Sequence, residues 1–411
     1  MPPSLRRRRK EGGTRMKRYY IATVAIALAV ILIYGYAIGF WNHQPELDHL
    51  KVGFIYENDG STPFTYNFML AQSALENTYG ERVKILAKNN VHGKKTEESL
   101  RDLVQKGCRI IFINTDSTQV RPLAEEIPSV QFCQISVGDA ATDAIPSNYH
   151  TFGGEIYQGR YVSGIAAGMK LKQMIDTGVI SSDEALVGFV GAFPVAEVIS
   201  GYTAFLLGVR SVVPEAVMRV RYTNTWSSYT LEKACAQALI EEGCVVISQH
   251  TNTTGPAVAC EEAAATRPVI HIGYNQSTID IAPTASLVSA RINWTPYITG
   301  AVAAMLSGHQ IEEYVDGSVH GNDMSAGLEK NWVEMLELNP FLAAEGTAER
   351  MAQAVEAFRK GKLEVFKGNY IGVNPDDPSD TCDLNQGYTE NKDCSCPDFH
   401  YVLKDIITVE E

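Results

Sequence analysis

Five groups of polar and aromatic residues stand where runs of apolar residues end, and their chemistry suits the capture of a flat ring better than bond-making. Asn58-Asp59-Gly60-Ser61-Thr62-Pro63-Phe64-Thr65-Tyr66-Asn67 follows the apolar run 51–56, and Thr223-Asn224-Thr225-Trp226 follows 218–222. His250-Thr251-Asn252 follows 245–249, Asn275 follows 269–274, and Asn293-Trp294-Thr295-Pro296-Tyr297 follows 286–291. Thr115 stands in the same place after 109–114. A heteroaromatic ring takes aromatic faces above and below it and a few fixed hydrogen-bonding groups at its edge. Each residue taken singly is better explained as a loop residue or buried core aromatic; their coincidence at the ends of successive apolar runs favours a ligand. The candidate contacts are Phe64, Trp226, Asn275, His250, Asp59, Asn252, Trp294 and Thr115.

Catalytic patterns are missing. The chain has no phosphate loop, dinucleotide fingerprint, nucleophile elbow or zinc-binding helix. Gly188 and Gly191 lack the third glycine of a dinucleotide site and read as a strand-end turn. The nine histidines show no ligand spacing, and Asp59, Asp116, Asp139, Asp143 and Asp280 do not cluster as a hydrolytic metal site requires. Cys394-Ser-Cys396 is read as tail thiols or as a bridge to Cys382 rather than as a metal site. No enzyme, metal or cofactor is expected.

The elements that must position the candidates alternate. Strands are expected at 51–56, 83–87, 109–114 and 130–136, with helices at 65–77, 96–106 and 119–126 between them. Thr96 is expected to cap the second helix and Gly107 to end it. The alternation restarts with a helix at 155–174 carrying Gly164 and Gly168. Strands follow at 187–193, 218–222, 245–249, 269–274 and 286–291, and helices at 195–212, 231–242, 256–264 and 296–306. Uninterrupted apolar strands between helices indicate parallel sheets covered on both faces. The fold class is therefore α/β, with two similar doubly wound lobes. Ligands of such sheets lie beyond the strands' carboxyl ends, which places a cleft between the lobes. A terminal strand is expected within 399–409.

Of 411 residues, 45% are hydrophobic and 20% charged, a globular balance that excludes a disordered or fibrous chain. The net charge of −13 is uneven: residues 1–50 carry eight Lys/Arg and three Asp/Glu, a net of +5 that leaves the remainder at about −18. An acidic body disfavours nucleic acid as a partner. Eight basic residues precede an uncharged run at 19–40, whose 22 residues reach about 33 Å as a helix, enough to cross a bilayer. Positive charge ahead of the run keeps that end cytoplasmic and exports the body. The run's length favours an uncleaved signal-anchor and a single-pass cell-membrane protein, although Ala37 and Gly39 would suit cleavage before Phe40.

Phe64-Thr65-Tyr66, the stretch FGGEIYQGRYVSGIAAG at 152–168, VGFVG at 187–191, Gln249-His250-Thr251, Gly273-Tyr274-Asn275 and Asn293-Trp294-Thr295-Pro296-Tyr297 together resemble the basic membrane protein (Bmp) family over about 51–308, more weakly to about 372. That family comprises extracytoplasmic solute-binding proteins of ABC importers, receptors for purine nucleosides or purine bases. The resemblance implies the type I periplasmic-binding-protein fold, with two Rossmann-like lobes joined by three crossovers and closing on the ligand. It also implies that the rings of Phe64 and Trp226 sandwich the base. Asn275 stands where nucleoside-binding members place an Asp on the ribose. A neutral amide makes no charge-assisted bond there, which favours free purine bases or related oxopurines, to which Asn both donates and accepts. His250 matches the base-binding branch, whereas Ile292 replaces a Trp of that branch, and the lipid-bearing cysteine of many members is absent.

The expected organisation is a basic tail (1–18), an anchor (19–40), a linker (41–50), lobe one (51–152, with about 292–320 returning to it), lobe two (153–291) and a C-terminal extension packing on the lobes (321–411). The expected partners are a purine base or nucleoside, ABC permease and ATPase subunits, and the membrane. A ligand sensor for a signalling partner and an exported nucleoside hydrolase are the competing readings.

Overall fold

The computed structural model describes residues 47–135 and 145–410. The expected basic tail and apolar span lie outside the described residues, among which no helix is long and apolar enough to cross a membrane.

The first βα series comprises β1 (Leu50–Ile55), α1 (Pro63–Tyr79), β2 (Val83–Lys88), α2 (Lys95–Gln105), β3 (Ile110–Ile113), α3 (Val120–Glu126), β4 (Gln131–Ile135) and β5 (Tyr149–Gly154). The second comprises α4 (Ile156–Asp176), β6 (Leu186–Gly191), α5 (Ala196–Arg210), β7 (Val217–Tyr222), α6 (Tyr229–Glu241), β8 (Val246–His250), α7 (Gly255–Ala264), β9 (Ile270–Tyr274) and β10 (Ser286–Ile292). The chain then returns through α8 (Thr295–Ser307), β11 (Ser318–His320) and β12 (Asp323–Ala326) to the first sheet, and through β13 (Val333–Met335) to the second. The passages β5 to α4, β10 to α8 and β12 to β13 are thus three crossings between the lobes, as the type I periplasmic-binding fold requires.

Each sheet has seven strands, in the orders β11-β12-β5-β4-β3-β1-β2 and β13-β10-β9-β8-β6-β7-β17, the last being Ile407–Glu410. Both are parallel except at one end, where β11 and β13 run against their neighbours. Period two places successive side chains on opposite faces, so β3 sends Ile110 and Phe112 into a core shared by both lobes and Ile111 and Ile113 into a second under α2 and α3. A third cluster lies under α6 and α7. Near the crossings Phe152 stacks on Tyr297 with ring centroids 3.9 Å apart.

Residues after 320, expected to pack on the lobes, instead supply strands to both. Beyond α9 (Thr347–Arg359) the chain forms a small sheet of β14 (Ile371–Val373), β15 (Thr381–Asp383) and β16 (Val402–Leu403). Between β15 and β16 it reaches lobe one, where the backbone N–H and hydroxyl of Ser395 donate to the buried Asp323 carboxylate at 2.5 and 2.6 Å. The Thr151 hydroxyl donates to the same carboxylate at 2.6 Å. It finally returns to lobe two as β17, in parallel register with β7. The single expected terminal strand is therefore two short ones, separated by a turn in which Asp405 has φ 60°. No disulfide joins Cys382, Cys394 and Cys396.

Candidate functional site

The carboxyl ends of the two sheets face each other across a cleft of about 490 Å³. Lobe one contributes Glu57 and Asn58 after β1, Thr62 and Phe64 at the start of α1, Asn114 and Asp116 after β3, and Ile135 at the end of β4. Lobe two contributes Phe193 and Glu197 around the start of α5, residues 224–227 after β7, His250 and Asn252 at the end of β8, and Tyr274 at the end of β9.

Phe64 is held by its place in the chain. Pro63 occupies the first turn of α1, where its fixed φ suits a helix start and its missing N–H goes unneeded. The Phe64 ring then packs edge-on against Trp294 at 5.8 Å and beside Phe68 at 6.0 Å. Trp226 stands on a loop that turns at Asn224, whose φ is 53°. The carbonyl of Trp226 accepts from the Asn252 N–H at 2.9 Å. The buried Glu232 carboxylate ties the two loops further, accepting from the N–H groups of Ser228 and Thr253, each at 3.0 Å, and from the Thr253 hydroxyl at 2.7 Å. Trp226 remains 41% exposed.

His250 rests on a polar network in the core of lobe two. Gln249 Nε2 donates to the carbonyls of Thr251 and Thr253, and its Oε1 accepts from His271 Nε2 at 3.0 Å. Burial keeps the pKa of His250 below the usual histidine range, with Arg160 adding to the fall and Glu197 opposing it. His250 Nε2 lies 3.3 Å from Glu197 Oε1. Burial works against ionisation of Glu197, but its hydrogen bond to His250 and the charge of Arg160 prevail, so its carboxyl falls below the ordinary range. Arg160, on α4, is fully buried with its guanidinium 4.1 Å from the Tyr274 ring centroid. Burial lowers its pKa to about 10.

Phe64, Trp226, His250 and Asn252 therefore share one cleft, and four candidates do not line it. Trp294 is 3% exposed and lies in the core among Phe64, Phe68 and Phe152, supporting the cleft wall from behind. Asn275 is buried: its Oδ1 accepts from the Ile292 N–H at 3.1 Å and its carbonyl accepts from Asn67 Nδ2 of lobe one at 3.1 Å, which makes it an interlobe strut. Thr115 is buried, its carbonyl accepting from Gln134 Nε2 at 3.0 Å. Asp59 is exposed and closes a turn onto the Ser61 N–H, whose side chain and backbone hold its carboxyl low.

Glu57, Phe193, Glu197 and Tyr274 line the cleft without having been singled out as contacts. Glu197 lies in the first turn of the helix following β6, a position equivalent to that of Phe64 after β1, and that equivalence was the available signal. Arg160 stood out as the lone charge in the small and apolar stretch 156–168.

The family model described as ABC transporter substrate-binding protein, PnrA-like (Bmp), matches residues 51–360. A purine-binding protein of Brucella abortus is 28% identical over 347 residues, covering 83% of this chain and 89% of its own. A protein of Haloferax volcanii named, provisionally, an ABC transporter glucose-binding protein is 29% identical over 276 residues, covering 67% of this chain and 63% of its own. Among solved structures, an ABC transporter solute-binding protein of Aeropyrum pernix superposes with a TM-score of 0.60 at 16% identity, covering 80% of this chain and 95% of that one.

Proposed function

The chain belongs to the Bmp family of ABC transporter substrate-binding proteins, and from that premise we propose that its interlobe cleft receives a purine base or purine nucleoside for delivery to an importer. ABC substrate-binding proteins are extracytoplasmic and work with permease and ATPase subunits. The observation that carries the ligand assignment is the pairing of Phe64 from lobe one with Trp226 from lobe two in a single cleft. A planar ring between them would be stacked on both faces, and lobe closure would bring those faces together. The Brucella abortus relative, named for purine binding, supports the same class of ligand. Residues 19–40 would tether the receptor to the outer face of the membrane, as their length and preceding positive charge suggest.

A ligand that binds only the folded state stabilises it by about 2.7 kcal/mol at a hundredfold excess over Kd. In a thermal-shift screen of purine bases, nucleosides and sugars, at least one purine should raise the melting temperature. Stabilisation by a sugar with silence from every purine would overturn the assignment. Protease added to cells without an outer barrier should digest the body; a protected body would overturn the export and the tether together.

A further inference from the structure

Three carboxylates, Glu57, Asp116 and Glu197, line the cleft, and among the described residues no Lys or Arg does. The lining histidine, His250, is buried and held below its usual pKa, so it supplies no charge at neutral pH. The three acids differ in their support. Burial favours the neutral form of Glu57, as does the charge of Asp116, against the pull of His92. Glu197 instead has a cation fixed behind it. The Nε, Nη1 and Nη2 of fully buried Arg160 make no hydrogen bonds, and its guanidinium is sandwiched between the faces of Tyr274 at 4.1 Å and Phe189 at 5.7 Å. A buried cation without hydrogen-bond partners persists only beside compensating negative charge. Glu197 is the carboxylate whose field acts on it. In return, the hydrogen bond from neutral His250 and the charge of Arg160 hold Glu197 ionised where it lines the cleft.

We propose that Glu197 is the specificity-determining residue of this cleft, a fixed carboxylate that accepts N–H donors from a neutral or cationic ligand and rejects an anionic one. Arg160 acts through Glu197 as a positioning residue. The charge is compensated by a cation packed in the lobe, Arg160, rather than by ions dissolved in solvent. An anion entering the closed cleft would face it with little screening, and such repulsion is how a site discriminates between ligands of similar shape. Resting on the purine reading above, the inference restricts the ligand to a purine that is uncharged at neutral pH and offers N–H donors, such as adenine, and excludes urate, which is an anion at neutral pH.

The test is calorimetry at neutral pH on the full chain and on Glu197→Gln and Glu197→Asp, with adenine against urate and glucose against gluconate. Each variant is melted without ligand as a control. The wild type should prefer adenine over urate by about tenfold or more, Glu197→Gln should lose most of that preference, and Glu197→Asp, which keeps the charge, should retain it. Equal binding of adenine and urate by the wild type, or an unchanged preference in a folded Glu197→Gln, would overturn the proposal and leave the purine reading intact. If Glu197→Gln does not fold, loss of the preference in Glu197→Asp would overturn it equally. Purine silence with glucose bound and gluconate refused would sustain the charge rule while removing the purine reading. Silence from all four compounds would overturn the proposal and leave the purine reading to the nucleosides of the thermal-shift screen.

Discussion

Phe64 and Trp226 are anchored differently, and their substitutions should separate accordingly. Trp226 is 41% exposed on a loop, so Trp226→Ala should weaken purine binding while leaving the ligand-free melting temperature close to wild type. A base stacked on an aromatic side chain is worth about 1–3 kcal/mol, or roughly fivefold to 150-fold in affinity. Phe64 also packs on Trp294 and Phe68, so Phe64→Ala should lower both affinity and melting temperature. Calorimetry paired with denaturant melting reads the two effects; a normal affinity with a collapsed melt for Trp226→Ala would show it to be a structural residue. His271 gives a pH-dependent counterpart. Burial, reinforced by the charge of Arg160, lowers its pKa to about 3, against about 6.5 when unfolded. Between those values the unfolded chain binds the proton and the folded one does not, so this contribution is fully present above about pH 6.5 and is lost as pH falls toward 3. Melting measured from pH 7 to pH 4 should therefore decline less steeply in His271→Gln than in the wild type, whereas parallel curves would exclude His271 as a source of the decline.

Strands buried on both faces were plain in the sequence because nothing polar interrupts them; β3, Ile-Ile-Phe-Ile, is the clearest. β5 was not, since Tyr-His-Thr-Phe-Gly-Gly mixes polar residues and glycines with its aromatics and shows no apolar run. Its Thr151 is buried because Asp323 accepts its hydroxyl, and Gly153 is required by Ser395, whose carbonyl would lie 2.7 Å from an added Cβ. Both partners are distant in sequence, so no local pattern announces the strand. Thr96 was expected to cap α2, yet the cap is Lys94, two residues sooner, just after Gly93 at φ 51°, and Thr96 is buried within the helix. The site was legible to the extent that position after a strand is informative. That rule finds Phe64 and His250, but it cannot tell Trp226, facing the cleft, from Trp294, facing the core, since both follow strands and only packing separates them. The small residues of α4 have a firmer reading. A Cβ at Gly164 would lie 2.1 Å from the carbonyl oxygen of Phe205, and one at Gly208 equally close to that of Tyr161, so α4 and α5 touch backbone to backbone. Gly to Ala ordinarily favours a helix by about 1 kcal/mol. Here Gly164→Ala should instead destabilise, by about 1–3 kcal/mol or more as the helices are forced apart, and a raised denaturant midpoint would contradict the close approach.

At the scale of the molecule, the acidic cleft, the three crossings and the tail that touches both lobes belong to one receptor body. The tail lies largely beyond residue 360, where the family model ends, and its last strand pairs along β7, Ile407 beside Met218 through Glu410 beside Arg221. β7 would otherwise be the outermost strand of its sheet, with a row of backbone donors and acceptors unmet. Such a bare margin is a template for another chain. A protein ending at residue 360 keeps every residue that lines the cleft, yet it should self-associate through β7. Size-exclusion chromatography over a concentration series should find it growing with concentration where the full chain does not. On that outcome the terminal strand acts as a guard against aggregation, standing apart from the cleft, which its removal would leave whole.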